Sequence, residues 1–331
     1  MLNLEAKLSE DVFSPGVPVA STRDGFGSGV VEAGEADARV VVLCADLKES
    51  TRAEAFERRF PGRFVEMGVA EQNMATVASG MANAGKIPFI ASYAVFSPGR
   101  NYEQIRTTIA INAMPVKICG MHAGVSVGAD GATHQMLEDI GMMRMLPGMT
   151  VIAPGDAEEA RKAILAAAKT DGPVYIRFGR ATTPVFTTRD TPFQIGKALT
   201  LWESEEPNVA IFSTGSLSHT ALTAARALAE DGVGSIVVHV PTIKPLDTEA
   251  ILGAARRAPR AITIEEHQIA GGFGSAIAEL LSERHPVPLL RLGINDQFGQ
   301  SGSPEELLAH HGLDVSGITS AARAFANMPN I

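Results

Sequence analysis

Along nearly the whole chain, short β-branched apolar runs alternate with Ala-rich segments of helical period. The runs at 40–44, 63–65, 87–91, 116–120, 150–153 and 174–178 are apolar without alternation, which predicts strands buried on both faces. Between them, Met74, Val77, Ala78 and Met81 recur at helical spacing, so 69–84 reads as an amphipathic helix. A second helix is expected over 156–169, with Asp156 as its N-cap. Beyond residue 190 the same alternation resumes, with strands at 209–213, 236–240, 261–264 and 289–292 and helices at 217–229, 247–256 and 273–283. Strand and helix in strict alternation imply parallel sheets, and hence an α/β chain of two doubly wound domains. The stretch 181–192 is rich in Thr, Pro and Arg and has no apolar period, as an interdomain linker would. The expected division is a polar arm over 1–20, a first domain over 21–185, a linker over 186–194 and a smaller second domain over 195–331.

Composition narrows the function classes. A net charge of −9 over 331 residues argues against nucleic acid or an anionic membrane as the main partner, and leaves room only for a local basic pocket. Glu5, Glu10 and Asp11 interrupt the start of the chain, and nowhere do eighteen uninterrupted apolar residues occur. Neither secretion nor membrane spanning is expected, and the cytoplasm is the default location. Cys44 and Cys119 lie in separate apolar runs without metal-ligand spacing, which reads as two buried, reduced thiols.

Three segments concentrate candidate chemistry. Glu71 falls where an apolar strand hands over to the helix at 69–84, with Val69 and Met74 available to wall its carboxylate. An acid in a first helical turn commonly does no more than offset the helix dipole. Residues 121–135 place His122, Asp130 and His134 between a strand and a helix, where open α/β sheets bind ligands. Taken singly, these are loop histidines and an Asp-Gly turn. Tyr93, Phe96 and Tyr102 cluster in a chain that is only 5% aromatic. In the second domain, Glu265, Glu266 and His267 are adjacent on a strand, so their side chains alternate between faces and do not converge on one ion. Gly271-Gly272-Phe273-Gly274 opens a helix, and a structural role is preferred there to a phosphate cradle.

The stretches VEMGVAEQNM, SYAVFSPGRNYEQIR, GMHAGVSVGADGATHQMLED, PTIKPLD and EEHQIAGGFG, in this order and spacing, resemble the thiamine diphosphate enzymes of the transketolase family. The resemblance runs from about Ser21 to the C-terminus. It implies a pyrimidine-binding domain followed by a transketolase C-terminal domain. Glu71 then matches the catalytic carboxylate that activates the cofactor, and His134 a second catalytic position. Tyr93, Phe96, Tyr102 and Gln135 match the pocket for the cofactor's pyrimidine, with Glu71 at its edge. Arg23, Ser50, His122, Asp130, His134 and Arg180 match substrate contacts, the arginines and His122 at a sugar phosphate; Arg177 competes with Arg180 for its place. The connection Ser97-Pro98-Gly99 is one residue longer than the family's.

The Gly-Asp-Gly motif with which these enzymes hold magnesium and the diphosphate does not occur in the sequence. The resemblance therefore implies a split transketolase, in which an N-terminal subunit supplies magnesium and the diphosphate site, assembled as an α2β2 heterotetramer with two shared active sites. The reaction implied is transfer of a two-carbon ketol unit between phosphosugars, with xylulose 5-phosphate the usual donor. A 1-deoxy-D-xylulose 5-phosphate synthase and a 2-oxo acid dehydrogenase beta subunit share parts of the pattern. A noncatalytic assembly or regulatory subunit is the remaining alternative, and the joint presence of Glu71, Asp130 and His134 speaks against it.

Overall fold

The computed structural model describes residues 1–329. Its first domain begins with α1 (Thr22–Ala36) and continues through β1 (Val40–Cys44), β2 (Phe64–Glu66), α2 (Glu71–Asn83), β3 (Ile87–Tyr93), β4 (Lys117–Met121), α3 (Asp139–Arg144), β5 (Thr150–Ile152), α4 (Ala157–Ala168) and β6 (Val174–Arg177). The second comprises β7 (Leu199–Glu203), β8 (Val209–Ser213), α5 (Leu217–Glu230), β9 (Ser235–His239), β10 (Thr242–Lys244), α6 (Thr248–Ala255), β11 (Ala261–Gln268), α7 (Phe273–Arg284), β12 (Leu289–Ile294), α8 (Pro304–His310) and α9 (Val315–Ala326).

Each domain is an α/β layer structure. The first sheet has the order β10-β5-β6-β4-β3-β1-β2, parallel throughout except for β10, which runs antiparallel to β5. The second has the order β12-β11-β8-β9-β7, with β7 alone antiparallel. Period-2 geometry explains why the central strands are apolar at every position: Val40, Val42 and Cys44 face α1 and α4, whereas Val41 and Leu43 face the layer containing Met74 and Ala78 of α2. Asp156 caps α4 as expected, Oδ1 accepting from the Glu159 amide at 2.9 Å. Cys44 and Cys119 are free and buried. Among the described residues no helix is long and apolar enough to cross a membrane.

The two domains are joined by more than a linker. Strand β10, from the PTIKPLD stretch of the second half, completes the first sheet. A single apolar cluster runs from Leu43, Ile90 and Ile118 to Phe212, Val240 and Phe273. Within the linker Phe186, Thr187 and Thr191 are buried, and Lys162 Nζ donates to the carbonyls of Thr188 and Thr191. The N-terminal arm lies on the second domain, the Asn3 amide donating to Leu201 O at 2.9 Å, with Val12 buried.

Candidate active site

Glu71 is the first residue of α2, just after a turn in which Gly68 takes a φ of +65°. Its side chain is only 2% exposed, although its expected wall differs: Met74 is buried, but Val69 is 71% exposed and does not cover it. The segment after β3 closes over Glu71 instead. Arg100 Nη1 donates to Glu71 Oε2 at 2.8 Å, and the same guanidinium carbon sits 4.6 Å from the centre of the Phe96 ring. Asn101 Nδ2 donates to the Glu71 carbonyl at 3.0 Å and to Ser97 Oγ at 3.1 Å. Residues 96–101 thus grip Glu71 by both main chain and side chain. Arg100 and Asn101 escaped the sequence reasoning; the available signal was their place in the SYAVFSPGRNYEQIR block, next to the one-residue extension.

A ring cluster adjoins this segment. Tyr93, at the end of β3, stacks on His122 with centroids 3.9 Å apart and on Phe96 at 5.9 Å, and His134 meets the Phe96 ring edge-on at 5.8 Å. Tyr102 is not brought to this cluster. It packs against the core, and its hydroxyl donates to Met142 O at 3.1 Å.

His122 follows β4 in a left-handed conformation, φ +56°, and is 1% exposed. For a residue that is not glycine, such a conformation stores strain and is enriched at functional sites. Its Nδ1 has no hydrogen-bond partner. Burial, and then the charges of Arg23, Arg180, His134 and Arg52, push its pKa down to about 3. Arg23, in the first turn of α1, donates through Nη1 to the Ser50 carbonyl at 2.8 Å, while its buried Nε lacks a partner. Arg180 Nη1 donates to Val127 O at 2.7 Å and lies 3.7 Å from Asp130. A third guanidinium, unforeseen from sequence, belongs to Arg52. Its Nε donates at 2.7 Å to Asp24 Oδ1, whose other oxygen holds Ser21 in the capping box of α1. Burial and the Arg52 charge lower the pKa of Arg23. Like charges held this close repel, and an anion placed among them relieves the repulsion. A cavity of about 550 Å³ opens beside Arg23 and Arg180, with Gly302 and Pro304 of the second domain on its far wall.

Arg177, the competing choice for the anion, is committed elsewhere. Its Nε donates to the buried Asp139 at 2.9 Å and its Nη2 to Glu266 O at 2.7 Å. Asp130 is exposed, and His134 Nδ1 lies 2.9 Å from Thr133 Oγ1. Gln135 turns its amide nitrogen to Val125 O at 3.0 Å and to Gln300 O at 2.9 Å, which makes it a tie between the 121–135 loop and the second domain.

In the second domain the alternation along β11 separates the acidic pair. Glu265 accepts from the Phe273 and Gly274 amides at 2.7 Å each, so the Gly-rich turn is already occupied by the chain's own carboxyl group. Glu266 points the other way and accepts from the Ser126 amide at 2.5 Å.

The arrangement joins a buried carboxylate, a neighbouring aromatic face and a cationic rim. A flat hydrogen-bond donor, the Arg100 guanidinium, already lies against both the carboxylate and the Phe96 ring, so this space fits an aminopyrimidine. The cation set fits a phosphate.

Comparison with known proteins finds the following relatives. The family described as "Transketolase, pyrimidine binding domain" matches residues 19–185, and "Transketolase, C-terminal domain" matches residues 196–318. The chain is 38% identical over 308 residues to a 6-deoxy-6-sulfo-D-fructose transketolase subunit of Clostridium sp., covering 93% of this chain and 95% of that one. It is 38% identical over 304 residues to an apulose-4-phosphate transketolase subunit of Phocaeicola vulgatus, covering 92% and 96%. A solved structure described as a split gene transketolase, inactive beta4 tetramer, superposes with a TM-score of 0.85 at 41% identity, covering 92% and 97%.

Proposed function

Because the chain belongs to the transketolase family, we propose that it is the C-terminal subunit of a split, thiamine diphosphate-dependent transketolase that moves a two-carbon ketol unit from a ketose phosphate to an aldose phosphate. The observation that carries this reading is the buried carboxylate of Glu71, linked through Arg100 to Phe96 of the ring cluster, in a chain that also has a cavity rimmed by Arg23 and Arg180. Support for a subunit comes from length: the chain spans 95% and 96% of relatives that are themselves named as subunits.

Glu71 would hold the aminopyrimidine edge of thiamine diphosphate and exchange a proton with its ring nitrogen, while Phe96 and Tyr93 offer the flat face. When bound, the cofactor supplies a nucleophilic carbon that carries the two-carbon unit and stores the electron pair released by carbon–carbon cleavage. Asp130 and His134 orient the donor's hydroxyl groups, and His134 takes the proton of the hydroxyl next to the breaking bond. Arg23, Arg180 and His122 hold the phosphate, with Ser50 fixing Arg23 through its carbonyl. The 2% exposure of Glu71 keeps water from competing for its carboxylate.

In this reading magnesium and the diphosphate are held by an N-terminal subunit that carries a Gly-Asp-Gly motif. The working assembly is an α2β2 heterotetramer with each active site at a subunit junction. Val69, exposed beside Glu71, lies on the surface such a partner would cover. Xylulose 5-phosphate is the first donor to assay. The sugars in the relatives' names make 6-deoxy-6-sulfofructose and apulose 4-phosphate the next two.

The test is ketol transfer to ribose 5-phosphate, with thiamine diphosphate and magnesium, by this chain alone and mixed with the product of a neighbouring gene that encodes a Gly-Asp-Gly domain. Transfer by the mixture only, lost in Glu71→Ala, is expected. Transfer by the chain alone overturns the shared site, and full activity in Glu71→Ala overturns the catalytic assignment.

A further inference from the structure

Arg100 makes two contacts with residues that the proposed cofactor pocket needs for itself. Its Nη1 lies 2.8 Å from Glu71 Oε2, the carboxylate that would meet the aminopyrimidine edge. Its guanidinium carbon lies 4.6 Å from the centre of the Phe96 ring, a face on which the same heterocycle would stack. A guanidinium is flat, carries N–H donors along its edge and stacks on aromatic rings. In shape, and in presenting N–H donors to a carboxylate as the ring-protonated heterocycle does, it therefore imitates an aminopyrimidine that has taken the proton.

We propose that Arg100 is a positioning residue that stands in for the cofactor's pyrimidine in the unloaded subunit, holding Glu71 and Phe96 in their working places and turning out to solvent when the cofactor enters. This rests on the reading of Glu71 and Phe96 as the pyrimidine site.

The surroundings favour a side chain built to leave. Arg100 is 47% exposed while its partner Glu71 is 2% exposed, so the mobile half of the pair is the one with water to return to. The segment that carries it is anchored independently: buried Asn101 bonds the Glu71 carbonyl and Ser97 Oγ, and the Arg100 amide donates to Phe96 O at 3.0 Å. The side chain is thus free to swing without disturbing its own backbone. A buried carboxylate left unpaired in the empty site would be costly, and the placeholder removes that cost until the ligand arrives. The same contacts oppose binding, because each must be broken for the heterocycle to take its place. An exposed-side ion pair and a cation–π contact each contribute modestly, which together make the expected opposition on the order of tenfold in affinity.

The experiment titrates the full chain with the aminopyrimidine fragment of the cofactor, 4-amino-5-hydroxymethyl-2-methylpyrimidine, followed by calorimetry. Arg100→Met is expected to bind the fragment about tenfold more tightly than wild type, and Arg100→Lys, which keeps the charge but loses the plane, to fall between them. Combining Glu71→Ala with Arg100→Met should abolish binding. Equal or weaker binding by Arg100→Met, with the loss in Glu71→Ala retained, overturns the placeholder and leaves the pyrimidine site standing. Binding that ignores Glu71, or that no form of the chain shows, overturns the site reading and the placeholder with it. Thermal unfolding of each variant checks that the fold is intact.

Discussion

His122→Asn isolates one electrostatic cost built into the 121–135 loop. In the folded chain the imidazole is neutral down to about pH 3, against an ordinary value of 6.5, because burial and the Arg23 and Arg180 charges oppose protonation. The sign follows from proton binding: between pH 6.5 and 3 the unfolded chain binds a proton that the folded chain refuses, so stability falls as the pH falls through that window. From pH 7 to pH 5 the loss from this one group is about 2 kcal/mol, a value set by the unfolded pKa and insensitive to the folded one as long as that stays below about 4. Asparagine tolerates the left-handed backbone at this position, so the substitution keeps the turn. It also removes the stacking on Tyr93, so the informative quantity is the difference between pH values and not the absolute stability. Urea unfolding of wild type and His122→Asn at pH 7 and pH 5 gives that difference, with the other titrating groups shared by both chains. The variant should lose about 2 kcal/mol less than wild type on acidification. Parallel losses would refute the claim that His122 is held neutral by its surroundings.

Other outcomes follow from the same geometry. Glu71→Gln should lower ketol transfer in the assembled enzyme by about a thousandfold, the scale of a lost acid–base group, while circular dichroism still reports a cooperative fold. Inorganic phosphate should raise the melting temperature of the isolated chain; Arg23→Gln should weaken its apparent affinity about tenfold and Arg52→Gln by less, since Arg52 is already shared with Asp24. Arg177→Met should cost about 3–5 kcal/mol in urea unfolding by leaving buried Asp139 and Glu266 without their shared counter-charge, and adding Asp139→Leu should recover only part of that loss, since Glu266 stays uncompensated and the Tyr175 hydroxyl loses its acceptor.

Much of the architecture was legible because buried parallel strands announce themselves as short apolar runs, and helices such as α2 carry a clear apolar period. What escaped was decided by tertiary contact. The helix α1 contains four glycines, which by propensity argue against a helix. They are explained by close approach: a Cβ on Gly29 would lie 3.0 Å from the Arg161 carbonyl of α4. Strand β10 is three residues long and gains its identity only by pairing with β5, far away in sequence. At the site, resemblance supplied positions but not partners. It named Glu71 but not Arg100, Arg23 but not Arg52, and it grouped Tyr102 with rings from which the fold separates it. Side-chain pairing across elements has no local sequence signature, so these assignments needed the three-dimensional placement.

The second domain contributes no side chain of the proposed chemistry, yet it fixes the loop that carries Asp130 and His134. Glu266 accepts from the Ser126 amide, Gln268 N donates to Leu137 O at 2.9 Å, and Gln135 reaches Gln300 O, so the loop is fastened near both ends and at its C-terminal turn to elements beyond residue 260. Gly131, at φ +73°, sits where an added Cβ would lie 2.7 Å from Ser301 Oγ, and the loop therefore follows the surface of the second domain closely. Burial raises the pKa of Glu266, and the adjacent Arg177 guanidinium, itself bonded to the Glu266 carbonyl, is the charge that offsets it. A buried carboxylate held in this way is expensive to misplace, because any shift of the domains breaks its bond to Ser126 and separates it from that counter-charge. The geometry at Asp130 and His134 is thus enforced by the seating of one domain on the other. Under the proposed assignment of Asp130 and His134, the C-terminal domain would serve catalysis through position alone, and the EEHQ segment would accompany the 121–135 loop in the sequence pattern because it fastens that loop without reaching the site.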